Sequence, residues 1–168
     1  MNADDIARYY IKAPAYEVPS SVIRDFRQFV INLAKKELRG IKIRYVDFQP
    51  YMRGEHPCQA DLCADVHRGR LLISTQFNNA DLLDPEANLD FRCLHEAHHV
   101  KLNAGFDWQG ECAVARHIMS FTDRVIFKQL LFSEILGQSA VCLHRGQFPE
   151  HQKVVLFPEA IVQQALYN

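Results

Sequence analysis

The sequence predicts an α+β domain, and three observations carry that prediction. Val22, Phe26, Phe29, Val30 and Leu33 recur at helical spacing, Ile41, Ile43 and Tyr45 alternate with charged residues, and the chain after Glu86 returns to helical periodicity. With 168 residues, 48% of them hydrophobic, the chain can bury one core, so residues 1–168 are expected to form a single domain. No repeat, low-complexity tract or Gly/Ser linker divides it.

Taken in order, residues 1–19 contain Pro14 and Pro19 and read as an N-terminal arm or short helix. The leading helix runs from about Ser21 to Leu38, with Ser20 and Ser21 available as caps and Gly40 as its stop. A strand follows at Ile41 to Tyr45, and a second is expected from Ala60 to Val66. A turn at Arg68 and Gly69 leads to a third at Leu71 to Phe77, pairing back as a hairpin to complete a small three-stranded sheet. Beyond the break at Asn78 to Pro85, one helix is expected from about Glu86 to Asn103 and a second long one from about Trp108 to Leu136. Short elements follow, the last opened by Pro158.

Composition narrows the function classes. A net charge of -1 gives none of the basic excess usual in a nucleic-acid binder. The start of the chain lacks the basic and apolar run of a secretory signal, and the apolar stretch Val125 to Leu143 carries Lys128 and Glu134. A cytoplasmic protein with neither a nucleic-acid nor a membrane partner is therefore expected. Five cysteines, an odd number, argue for reduced thiols.

The predicted helix from Glu86 contains His95-Glu96-Ala97-His98-His99, a complete His-Glu-x-x-His pattern. Residues four apart differ by only about 40° around a helix axis, so His95 and His99 can reach one Zn2+ ion. Glu96, turned by about 100°, is placed to act as general base on a water that the metal acidifies, rather than as a ligand. A catalytic zinc normally takes a third protein ligand. Glu111 is the candidate, a carboxylate on the apolar arc of the next helix with Val114, Ala115 and Ile118, where an unpaired charge is costly; His117 and Asp123 lie on the opposite arc. His98 is expected to face solvent or to support the ligands. Tyr51, Arg116 and His144 are unranked candidates for stabilising an oxyanion. His56, Cys58, Cys63 and His67 have the residue types of a structural zinc site but no Cys-x-x-Cys knuckle, and the cysteines read better as small packing residues beside a strand.

On this motif, on the strand Arg70-Leu71-Leu72-Ile73-Ser74 before it and on Glu111-Cys-Ala-Val-Ala115 after it, the chain resembles the small intracellular gluzincin-like metallopeptidases of the ImmA and IrrE type over roughly residues 20–135. The resemblance implies a minimal zincin-like domain in which the motif helix packs on a second long helix and the carboxy-terminal part is helical. It implies a zinc-dependent peptidase or amide hydrolase whose substrate is a peptide or protein, with His95, His99 and Glu111 on the metal and Glu96 catalytic. The alternative is a non-catalytic regulatory or binding protein on a zincin scaffold that keeps its metal site.

Overall fold

A computed structural model describes residues 1–78, 81–149 and 151–167. Its elements are α1 (Ala3–Lys12), α2 (Ser20–Glu37), β1 (Lys42–Val46), β2 (Met52–Arg53), β3 (His56–Pro57), α3 (Gln59–His67), β4 (Arg70–Ser74), α4 (Pro85–Leu102), α5 (Trp108–Met119), α6 (Val125–Phe132), a π-helical turn Ser133–Gly137, α7 (Gln138–Arg145) and α8 (Glu159–Tyr167). The architecture is α+β and mostly helical. It divides into a continuous unit, Ser20–Phe106, and a second unit assembled from Met1–Pro19 and Asp107–Asn168.

In the continuous unit, α2 buries Phe26, Val30 and Leu33 of the stripe its spacing predicts, together with Ala34, while Val22 and Phe29 are half-buried, and it packs against α4. The sheet departs from expectation. Among the described residues β1 pairs only with β4, and it does so in parallel, from Lys42 opposite Arg70 to Val46 opposite Ser74. The strand expected at Leu71 to Phe77 is present as β4, but the one expected at Ala60 to Val66 is helix α3, so the hairpin and the three-stranded sheet do not form; β2 and β3 make a separate small antiparallel pair. Ala60, Asp61, Ala64 and Asp65 disfavour a strand, whereas Leu62 and Val66, four apart, share a helical face on which Leu62 is fully buried. Parallel neighbours cannot be joined by a tight turn, and the intervening chain, α3 included, supplies the crossover. Gly69, at φ 72, lies just beyond the last turn of α3 and is not a hairpin residue. Leu38, Tyr51, Leu62, Leu71, Ile73 and Cys93 belong to the core beneath this sheet.

In the second unit, the expected arm is largely helix α1. Asn2 and Asp5 form a reciprocal capping box at its start, and Ile6, Ala7 and Tyr10 are buried where it packs on α7. The Tyr10 hydroxyl donates to the Lys153 carbonyl at 2.7 Å. The long helix expected from Trp108 to Leu136 is interrupted between Met119 and Val125. There the Ser120 hydroxyl donates to the His117 carbonyl and the Thr122 hydroxyl accepts the Arg124 amide, local bonds that compete with helix propagation. The apolar arc therefore does not extend across the break, and Val125 is 74% exposed. The span Val125–Arg145 is long and apolar enough to cross a membrane, and 67% of that window is buried within the molecule.

Candidate metal centre

Helix α4 carries the motif, with boundaries close to those its sequence predicts. Asp84 caps its start by accepting the Ala87 amide at 3.0 Å and pairs with Arg27, while Pro85 fits the first turn. The Ala87 amide, with Arg27 adding to it, holds the Asp84 carboxyl below the usual carboxylate range. At the other end Asn103 adopts the left-handed conformation, φ 49 and ψ 40. That turn lets the Ala104 amide bond back to the His99 carbonyl at 2.9 Å.

The same turn brings the Ala104 carbonyl to the His99 side chain, with Nδ1 at 3.2 Å. The carbonyl can only accept, so His99 carries its proton on Nδ1 in this bond and Nε2 is the nitrogen with a lone pair for a metal. Gln59 Nε2 donates to the same carbonyl at 2.7 Å, fixing it from a second side. His99 is fully buried, packed on the Phe106 ring at 4.9 Å between centroids. The His95 and His99 rings lie 4.7 Å apart and nearly perpendicular, with a ring nitrogen of each within 4.8 Å of the other. One ion can take both.

Glu96, half-buried, lies one turn after Arg92. Burial lowers the Arg92 pKa and the Glu96 carboxylate opposes that shift. Tyr51 is the one of the three oxyanion candidates in the same unit as the motif. Its hydroxyl accepts the Leu72 amide at 2.8 Å and is pushed up to about 12, chiefly by burial, with Glu96 contributing, so it stays neutral. The other two candidates are engaged elsewhere: Arg116 lies over the Tyr167 ring and His144 Nδ1 bonds Asp4 at 2.8 Å.

His98 does not face solvent. It is 1% exposed, and its Nε2 lies 3.3 Å from Glu37 Oε2, which also accepts from Lys101 at 2.6 Å. The Lys101 ammonium leads in holding the Glu37 carboxyl below its ordinary range.

Glu111 belongs to the second unit, in the first turn of α5, which Asp107 caps through the Gly110 amide at 2.8 Å. As its place on the helical wheel predicts, it is buried alongside Val114, Ala115 and Ile118, whereas Arg116 is exposed. The Ser139 hydroxyl donates to its Oε2 at 3.1 Å. The buried thiols of the two units are each poor nucleophiles: burial pushes Cys112 up to about 11 in the second unit and Cys93 up to about 12 in the continuous unit. Cys58 stands at the start of α3, with Cys63 and His67 within it, so the second His/Cys cluster flanks a helix rather than the strand expected there.

Two contributors were not found from sequence. The Ala104 carbonyl is backbone, signalled only by the helix-ending Asn103; Arg92 is signalled by its position four before Glu96. No protein-family model matches the chain, and neither a curated protein nor a solved structure does.

Proposed function

We propose that the chain is a metal-dependent peptidase or amide hydrolase, of zincin-like organisation, in which His95, His99 and Glu111 hold a zinc ion and Glu96 is the general base. The observation that carries this reading is the His99 side chain: buried, and bonded through Nδ1 to a backbone carbonyl that is itself held by Gln59. Histidines that bind metals are commonly oriented by such an outer partner, which fixes the tautomer and raises ligand basicity. The donor set, two imidazoles and a carboxylate, suits zinc, and a ligating carboxylate is ordinarily hydrogen-bonded in turn, as Glu111 is by Ser139.

A zinc ion bound there supplies Lewis acidity to the carbonyl under attack and lowers the pKa of water. The chain's own residues do the proton work. A Glu96 oxygen takes a proton from the attacking water and returns it to the amine nitrogen as the C–N bond breaks. Arg92 lies one turn away on the same helix face and interacts favourably with the Glu96 carboxylate.

The test is elemental analysis of protein purified without added metal or a metal-binding tag, followed by turnover of a labelled protein substrate. We expect about one zinc per chain, lost in His95→Ala and in Glu111→Ala. Glu96→Gln should retain the metal and lose hydrolysis. Zinc bound without any Glu96-dependent hydrolysis would favour a regulatory protein, and absence of metal after zinc is supplied would reject the site.

A further inference from the structure

Because β1 and β4 run parallel, the loops that follow them leave from the same end of the sheet, and hydrogen bonds stitch these loops together. The Thr75 amide and hydroxyl both donate to the Val46 carbonyl, Gln76 Nε2 donates to the Asp47 carbonyl at 2.7 Å, and Gln49 Nε2 donates to Gln76 Oε1 at 3.2 Å and Ser74 Oγ at 3.3 Å. On its other side the loop after β4 is tied to α4: Arg92 Nη1 donates to the Gln76 carbonyl at 2.8 Å, and Asn88 Nδ2 donates to Asn78 Oδ1 at 2.7 Å.

Between these two anchors stands Phe77, with φ 55 and 73% of its surface exposed. A bulky residue in the left-handed region is strained, and strain of this kind persists only where the surroundings impose it. Here the strain holds an aromatic ring in water. Phe48 on the neighbouring loop is 52% exposed and Tyr45, at the end of β1, is 46% exposed; with Met52 and Phe77 they are the large apolar side chains exposed in this unit among the described residues. The gathering of Tyr45, Phe48 and Phe77 at one end of the sheet marks an interaction surface rather than scattered exposure.

Carboxylates predominate around this end. Asp47 and Glu86 are exposed, and Asp90 is raised from its ordinary value by burial first and by Glu86 next, with Lys35 and Arg27 opposing. Asp90 and Glu86 also raise the Tyr45 hydroxyl, which burial chiefly pushes up to about 12, so both carboxylates act on the aromatic end. Asp84 is satisfied by Arg27, and Arg92 is turned to the Gln76 carbonyl. The opposite end of the same strands carries Lys42 and Arg70, the latter paired with Asp65, and Arg44 stands mid-strand, so a cationic partner is favoured at the aromatic end over the other.

We infer that Phe48 and Phe77, flanked by Tyr45 and these carboxylates, form a docking surface for a peptide segment that carries an apolar side chain beside Lys or Arg. The apolar side chain contacts the two rings and the cation meets the carboxylates and ring faces. The link to catalysis is Arg92, which pins Gln76 and lies one turn before Glu96 on α4. That this segment is the substrate rests on the peptidase reading; that it binds does not.

The test uses the full chain with the Glu96→Gln substitution and zinc, so that binding is read without turnover. Three dye-labelled peptides of equal length are compared by anisotropy: one with Leu and Phe beside Lys and Arg, one with Ser in place of the apolar residues, and one with Glu in place of the basic ones. The first is expected to bind at least about tenfold more tightly than either other. Phe77→Gly should weaken it by about tenfold while leaving the urea midpoint unchanged or raised, because glycine adopts φ 55 without strain. Phe48→Ser, at a position with no such strain, should weaken it similarly. Equal binding of the three peptides, or unchanged affinity in both folded variants, overturns the inference. If Glu96-dependent hydrolysis occurs without this preference, the surface fails and the peptidase reading stands. If the preference and its loss in both variants are found but the unsubstituted chain hydrolyses nothing, the surface stands and the peptidase reading fails.

Discussion

The left-handed residue that ends α4 links the backbone to metal affinity, and Asn103→Val tests that link. Valine at φ 49 and ψ 40 meets the steric penalty of the left-handed region, about 1–2 kcal/mol for a residue with a Cβ, which asparagine partly escapes through its short polar side chain. For a chain of this size a loss of about 1 kcal/mol lowers Tm by about 2–4 °C. The second effect is on the metal. If the turn shifts, the Ala104 carbonyl leaves its 3.2 Å position at His99 Nδ1, and loss of such an outer partner lowers metal affinity by about 10–100-fold. Asn103→Gly should keep both the turn and the affinity. Stability is measured by urea unfolding in the presence of a chelator, and zinc affinity by competition with a chromophoric chelator at neutral pH. A destabilised Asn103→Val that binds zinc as tightly as the unsubstituted chain would refute the role assigned to the carbonyl. So would an Asn103→Gly variant that loses affinity as much as the valine variant does.

Two further outcomes concern the scaffold. Asp84→Ala should cost about 1 kcal/mol at neutral pH through the lost helix cap, whereas Asp84→Asn keeps the cap and loses only the Arg27 pair. Because the folded-state pKa of Asp84 is depressed, its ionic contribution is complete above the unfolded value of about 3.9 and disappears as pH falls through the lower folded value. Urea midpoints of the native and Asn chains should therefore converge only in acid. Gly137→Ala would place a Cβ 2.7 Å from the Tyr10 ring, which is 1% exposed and has little room to retreat. A loss of about 1–3 kcal/mol is expected by thermal or urea unfolding, and an unchanged midpoint would show that α1 is not packed there as described.

What the sequence discloses tracks how local the determining physics is. Helix α4 was legible to within a residue or so at each end, because Asp84, Pro85 and Asn103 are short-range signals, and the burial of Glu111 followed from the period of α5 alone. Segment 60–66 was misread because a short run with Leu62, Cys63 and Val66 satisfies strand and helix patterns alike. The arbiter is β4, which lies parallel to β1 and makes a crossover necessary, and this is a long-range fact. The break after Met119 depends on Ser120 and Thr122 hydrogen-bonding their own neighbours, a choice propensity alone does not settle. The burial of His98 was not legible for a related reason: its partner Glu37 lies 61 residues away. The oriented His99 ring was hidden because a carbonyl has no letter in the sequence.

The order in which the chain is threaded through its two units has a consequence for synthesis. Helix α1 is made well before the helix on which it buries Ile6, Ala7 and Tyr10, which is α7, beginning at Gln138. At about 5–20 residues per second, a ribosome leaves that apolar face without its partner for on the order of ten seconds. Meanwhile Ser20–Phe106 can be completed from residues already made. A nascent chain halted before α7 is thus expected to carry a finished motif helix together with an α1 segment that is exposed and aggregation-prone, making that segment the natural place for a chaperone to hold.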